Sequence, residues 1–242
     1  MKKLAIIPAR YESSRFPGKP LIDLLGKTMI QRVYEGVEKS QLFDAIVVAT
    51  DDQRIVDEVR SFQGEVVLTQ DTHESGTERC GEVVEQYSDF DIVVNIQGDE
   101  PLIEKEQLRV LLEAFKDKEV EIATIASPKV SQEDVLNPNR IKVVTNHQSN
   151  ALYFSRSPIP YVLKQNEYPF LRHIGLYAFR LPVLQKLVKL PPTILEKTES
   201  LEQLRWLYHG YKIGVVETDI ETPNIDAPED VAFVLQRLSL TL

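Results

Sequence analysis

The stretch IIPARYESSRFPGKPL, residues 6–21, starts as an apolar strand and breaks into a loop with prolines at 17 and 20, one glycine and three cations, Arg10, Arg15 and Lys19. A loop of this composition is either a solvated connector or a wrap around an anion. Its place in the chain matters. The strand-like run 2–7 precedes it, and the segment 28–40 follows with Met29, Ile30, Val33 and Val37 at helical spacing. A first strand opening into a cationic loop and then an amphipathic helix is how an open α/β sheet begins, and ligands of such sheets bind beyond the carboxyl ends of the strands.

The following chain repeats that rhythm. Strands are expected at 44–50, 64–69 and 91–97, and helices at 52–62, 77–87 and 104–117. Continuous apolar strands alternating with amphipathic helices indicate parallel pairing with both faces covered. Through about residue 125 this predicts a doubly wound α/β sheet with right-handed crossovers. Beyond it, 141–145, 151–160 and 172–180 read as strands between polar, proline-containing loops without regular helices. This predicts a smaller, partly antiparallel lobe over about 130–200, suited to dimerisation or ligand binding, within one domain spanning 1–242. A helix over 199–210 ending on Gly210, a strand at 212–217 and a closing helix over 227–238 complete the reading.

The chain has 242 residues, a formal net charge of −9 and a single cysteine, Cys80. The negative balance argues against a general nucleic-acid or membrane-surface binder, so any anion site must be built locally from a few cations and backbone N–H groups. One cysteine excludes an intrachain disulfide and accords with a reducing compartment. No run approaches the ~18 apolar residues of a membrane span, and the N-terminus reads as a strand, not a signal peptide. The expectation is a cytoplasmic protein with no nucleic-acid or membrane partner.

The opening loop has neither G-x-G-x-x-G nor a P-loop; Gly26-Lys27-Thr28 imitates only the tail of the latter. Its cations could still neutralise a polyphosphate, arginine by bidentate contact and lysine as a point charge. At the end of the fourth strand, VVNIQGDEP (93–101) places Gln97, Gly98, Asp99 and Glu100 where Mg²⁺ shared with phosphate oxygens would find carboxylate ligands, though a β-turn with exposed acids has the same composition. In THESGTER (72–79), Ser75 or Thr77 suits a helix cap, whose N–H groups also favour an anion. Asp226, in PNIDAPED (223–230), reads as a helix N-cap or as a second metal acid. Arg156, Arg172, His173 and Tyr177, with Glu202 and Gln203, could read the carboxylate and hydroxyls of an acidic sugar or simply alternate on a surface.

Taken together, IIPARYESSRFPGKPL, VVATDD, ESGTER, VVNIQGDEP, NPNRIKVV, ALYFSRSPIP, LRHIGLYAFR, LEQLRWLYHG and NIDAPEDV occur in the order that marks 3-deoxy-manno-octulosonate cytidylyltransferases, the CMP-Kdo synthetases, and the chain resembles that family from residue 3 to about 234. SGTER, QGDEP, YFSR, RHIG and LEQLR set it apart from the wider sugar-nucleotide and CMP-acylneuraminate synthetases. The resemblance implies a Rossmann-like, glycosyltransferase-A-like nucleotidyltransferase fold. It implies transfer of CMP from CTP to the anomeric 2-hydroxyl of 3-deoxy-manno-octulosonate (Kdo), with Mg²⁺ and release of diphosphate, for lipopolysaccharide biosynthesis, by a homodimer. By matching positions, Arg10, Arg15 and Lys19 would hold the triphosphate, with Arg10 nearest the reacting phosphate and Ala9 beside it. Asp99 and Asp226 would bind Mg²⁺, while Ser75, Thr77, Gln97 and Gly98 would lie beside the nucleotide. Arg156, His173, Gly175, Tyr177, Glu202 and Gln203 would face the sugar acid. The same transfer to 8-amino-Kdo or an acylneuraminate is the alternative within the class, and a non-catalytic nucleotide-binding regulator the alternative outside it.

Overall fold

Strand β1, Lys3–Ala9, is the axis of the N-terminal half. In this computed structural model, which describes residues 1–12, 16–163 and 170–240, the chain continues through α1 (Met29–Ser40), β2 (Ala45–Thr50), α2 (Gln53–Ser61), β3 (Val66–Leu68), α3 (Gly76–Val83), β4 (Ile92–Asn95) and α4 (Lys105–Glu113). It goes on through β5 (Ile122–Ser127), α5 (Gln132–Leu136), β6 (Lys142–Thr145), β7 (Ala151–Ser155) and β8 (Leu171–Arg180). The remaining elements are α6 (Leu181–Leu187), α7 (Ile194–Glu199), α8 (Gln203–Tyr208), β9 (Ile213–Glu217) and α9 (Asp230–Ser239).

Two compact units emerge, one of Met1–Leu108 with Thr222–Leu242, the other of Arg109–Glu221. In the first, β3, β2, β1 and β4 lie in that order, every pairing parallel. Their burial explains the composition: Leu4, Ile6, Val47, Val48, Val93 and Val94 have no exposed surface, as strands covered on both faces require. Amphipathic α1 presents Ile30, Val33 and Val37 to the core and starts on Thr28, whose side chain accepts from Gln31 N. A further cluster of Leu24, Met29, Ile225, Val234 and Leu238, with Phe16 and Leu102 against it, docks α9 and the segment before it beside the opening loop. That packing brings residue 226 to the neighbourhood of residue 19.

In the second unit β8 pairs antiparallel with β5 and β6, β6 antiparallel with β7, and β9 parallel with β5. The unit's limits are wider than the 130–200 read from texture, because β5 and β9 pair within this mixed sheet. Three short helices, α5, α6 and α7, flank these strands in segments for which no helix was read. Two of them carry full capping boxes, Ser131 with Asp134 and Thr193 with Glu196. The register of β5 on β8 shifts between Thr124 and Ile125, where Thr124 faces Tyr177 and Ile125 faces Ile174. Gly175 and Leu176 of β8 therefore form a bulge, and it re-aims the side chains around it.

Candidate active site

In the first unit the candidate residues gather at the strand ends. Arg10 is exposed immediately past β1, next to the buried Ala9; Arg15 lies outside the described residues. Pro17, Gly18 and Lys19 return the loop to the sheet, with Gly18 left-handed at φ 72° and its N–H donating to the Tyr11 carbonyl at 2.9 Å. Beyond that glycine the Lys19 ammonium donates to Asp99 Oδ2 at 2.7 Å and to the Ile225 carbonyl at 2.8 Å. Ile225 N in turn donates to the Asp99 carbonyl at 3.0 Å. One cation thus gathers the opening loop, QGDEP and NIDAPED. Asp226 is not the N-cap expected: that position falls to Glu229, and it is Asp230 whose carboxylate accepts from the N–H groups of residues 226 and 227. The Asp226 carboxylate accepts instead from Asn224 Nδ2 at 2.8 Å.

Gly98 owes its identity to the sheet. A Cβ there would stand 2.8 Å from the Pro8 carbonyl oxygen, so the turn after β4 can approach β1 only as glycine. Gly76 is similarly crowded, by Pro8 and by Asn95. Ser75 caps α3, accepting from Glu78 N, while Thr77 is buried in the first turn. Gln97 is half-buried beyond β4.

Two residues of this unit escaped the sequence reading. Arg79, 1% exposed, donates to Asp51 Oδ2 at 2.8 Å, to the Thr69 hydroxyl and to the Gln70 carbonyl, tying α3 to the ends of β2 and β3. It is the arginine of SGTER, and its burial has no signature in the pattern. Asn95, at the end of β4, has a buried Oδ1 without a hydrogen-bond partner among the described residues.

In the second unit His173 and Tyr177, four residues apart on β8, join Phe154, Phe179 and Trp206 in one ring cluster, with His173 5.3 Å from Tyr177 between centroids and Tyr177 5.0 Å from Trp206. His173 Nε2 lies 2.9 Å from the hydroxyl of Thr124, a fully buried residue that sequence alone did not single out. Burial, reinforced by the Arg172 charge, lowers the His173 pKa to about 3, so its ring is neutral at physiological pH. Burial, with the Glu202 carboxylate adding to it, raises the Tyr177 phenol well above its usual range. The Tyr177 hydroxyl makes no hydrogen bond among the described residues. Glu202 is the half-buried N-cap residue of α8 and Gln203, nearly buried, is its first residue.

Arg156 commits three of its five guanidinium N–H groups to main-chain carbonyls. Its Nε donates to the Glu199 carbonyl at 2.7 Å, Nη1 to the Pro138 carbonyl at 2.9 Å and Nη2 to the Ser200 carbonyl at 3.4 Å. The Glu199 carboxylate accepts from Arg156 N and the Ser155 hydroxyl. Buried Lys142 donates to the carbonyls of Asn137 and Arg156, and burial lowers its pKa. This lattice fixes the turn that delivers Glu202 and Gln203.

Among the described residues no three His, Cys, Asp or Glu side chains cluster as a metal cage. Asp99 and Asp226, on segments joined by the Ile225–Asp99 bond, suit a cation that takes one or two carboxylates and completes its shell with phosphate oxygens and water, which is the habit of Mg²⁺. No helix among the described residues is long and apolar enough to cross a membrane.

A cytidylyltransferase family model matches residues 4–213. The chain is 49% identical to 3-deoxy-manno-octulosonate cytidylyltransferase of Parabacteroides distasonis over 99% of both chains. It is 50% identical to the Porphyromonas gingivalis protein of the same name, over 94% of this chain and 93% of that one. A solved CMP:2-keto-3-deoxy-manno-octonic acid synthetase complexed with CTP superposes with a TM-score of 0.95 at 41% identity, covering 100% of both chains.

Proposed function

The chain belongs to the family of 3-deoxy-manno-octulosonate cytidylyltransferases, and we propose that it performs their transfer of CMP from CTP to Kdo with the nucleotide handled by the first unit's strand ends and the sugar acid read by the second unit's ring cluster. The observation that carries the nucleotide half is the Lys19 ammonium on Asp99 and the Ile225 carbonyl. It ties the lysine assigned to the triphosphate to one of the acids assigned to the metal and to the residue before the other.

The sugar's anomeric hydroxyl attacks the α-phosphorus of CTP in line and diphosphate leaves, so no side-chain nucleophile is needed; Cys80, buried in α3, offers none. Catalysis then rests on positioning and charge neutralisation. Arg10 and Arg15 neutralise the triphosphate, and Lys19 exchanges Asp99 for the leaving diphosphate. Asp99 and Asp226 would hold Mg²⁺, which when bound would polarise phosphate oxygens and lower the pKa of the attacking hydroxyl. Ser75, Thr77 and Gln97 lie beside the cytidine. Arg156, His173, Tyr177, Glu202 and Gln203 face the sugar, and Arg156 also braces the turn before α8. A homodimer accords with exposed Leu152, Tyr161 and Leu163, on and after β7, and a cytoplasmic location with the lone buried cysteine.

The test is diphosphate release from CTP with Kdo, 8-amino-Kdo and an acylneuraminate side by side, with and without Mg²⁺. Kdo is expected to turn over fastest and only with the metal. Turnover of another acid in its place would overturn the sugar assignment.

A further inference from the structure

Thr124 Oγ1 lies 2.7 Å from the Leu176 carbonyl oxygen, 3.4 Å from that of Ile174 and 2.9 Å from His173 Nε2. A hydroxyl has one proton and a carbonyl has none. Two oxygens at 2.7 Å require a proton between them, and only the threonine can supply it. The hydroxyl therefore donates to Leu176, a carbonyl displaced onto it by the bulge in β8. What remains facing the imidazole is a lone pair, so Nε2 must bring the hydrogen. The neutral ring has only one to bring, and Nδ1 is bare; no hydrogen bond to Nδ1 occurs among the described residues. The edge contact of Phe154, 5.0 Å between centroids, and the tilted Tyr177 ring hold the imidazole in this pose.

We propose that Thr124 is a positioning residue that fixes His173 as the Nε2–H tautomer, so that Nδ1 accepts a hydrogen bond from a hydroxyl of the sugar and turns away its carboxylate. A bare imidazole nitrogen and a carboxylate are both acceptors and repel. The histidine therefore orients the sugar acid by its hydroxyl end, leaving the carboxylate to other groups. This rests on the reading of the ring cluster as sugar-facing, and the experiment separates the two.

The enzyme has four histidines, so long-range ¹H–¹⁵N spectra of ¹⁵N-histidine-labelled protein, assigned by loss of a signal in His173→Gln, report this tautomer directly. Wild type is expected to show Nε2–H. Thr124→Val, close in shape to threonine, should lose that single pattern and raise KM for Kdo about 3- to 10-fold, as loss of one neutral hydrogen bond does, with KM for CTP unchanged. Thr124→Ser should restore both the pattern and the KM, a rescue that a packing role would not produce. An Nδ1–H ring in wild type, with KM for Kdo still raised in His173→Gln, overturns the Thr124 assignment and leaves the sugar-facing reading standing. An Nε2–H ring that depends on Thr124 while neither Thr124→Val nor His173→Gln changes KM for Kdo overturns the sugar-facing reading, and the proposal with it.

Discussion

The Lys19 ammonium sits 2.7 Å from Asp99 Oδ2, with 15% and 24% of the two side chains exposed, so the acid assigned to the metal is neutralised by the lysine assigned to the triphosphate. The pairing keeps two opposite charges satisfied where the chain has drawn them out of bulk water. Under the proposed assignment each residue would exchange this partner for a ligand on binding.

Lys19→Ala should therefore weaken CTP far more than CMP, because the lost contact is to the terminal phosphates. A charged hydrogen bond of this kind corresponds to about 10- to 100-fold in affinity. Calorimetric titration with both nucleotides checks it; equal weakening of CTP and CMP would remove Lys19 from the β/γ end.

Asp99→Ala should lower Mg²⁺-dependent turnover by about 10²–10³-fold, the scale of losing one preorganised electrostatic group, with an unchanged circular dichroism spectrum. The same variant frees Lys19 and deletes a negative charge. Metal-free CTP, measured in EDTA, should bind it at least as tightly as wild type. Near-normal turnover would exclude Asp99 as a metal ligand.

Gly98→Ala places a methyl group against the Pro8 carbonyl at 2.8 Å, and backbone on both sides leaves little room to yield. Overpacking of this kind costs about 1–3 kcal/mol. Urea unfolding should show that loss together with reduced turnover, since the displaced turn carries Asp99. An unaltered midpoint would mean that the β4 turn can move away from β1 freely.

The first unit was largely legible because parallel strands buried on both faces spell themselves out: DAIVVAT and DIVVNIQ became β2 and β4 with small changes of boundary. The second unit was less so. Helices α5, α6 and α7 have five to seven residues, too few turns for periodicity to build, and they persist through capping and packing. The capping boxes Ser131–Asp134 and Thr193–Glu196 were the available signal. The place of Asp99, just past a strand end, could be read from order alone. Thr124 could not, since within IATIAS it reads as ordinary strand alternation, and its meaning comes from a bulge in a strand fifty residues away. Arg156 shows the reverse: an arginine in a conspicuous motif with three of its guanidinium N–H groups on main-chain carbonyls, a fact of tertiary geometry.

Arg79 is buried with Asp51 as its charge partner. Removing either side leaves the other uncompensated in a low-dielectric setting, which costs about 3–5 kcal/mol. Arg79→Met should lose that much in chemical unfolding, and Asp51→Asn somewhat less because Asp51 retains more solvent. In the double variant the two losses should not add, as expected for directly bonded groups. Simple additivity would show that the pair is not coupled.

The His173 ring gives stability a pH dependence whose sign is fixed by its environment. Its folded pKa, lowered by burial to about 3, lies below the ~6.5 of an unfolded histidine, so on acidification the unfolded chain takes up the proton first. The stability conferred by burying the neutral ring is complete above about pH 6.5 and is lost as pH falls toward 3, at up to about 1.4 kcal/mol per pH unit from this one group. Carboxylates add their own loss at the acid end, so the informative window is pH 6.5 to 5, where they remain ionised. Urea midpoints measured across it should fall more steeply for wild type than for His173→Gln, which has no ring to protonate. Parallel curves would mean that the ring accepts a proton in place and that its burial does not resist the charge.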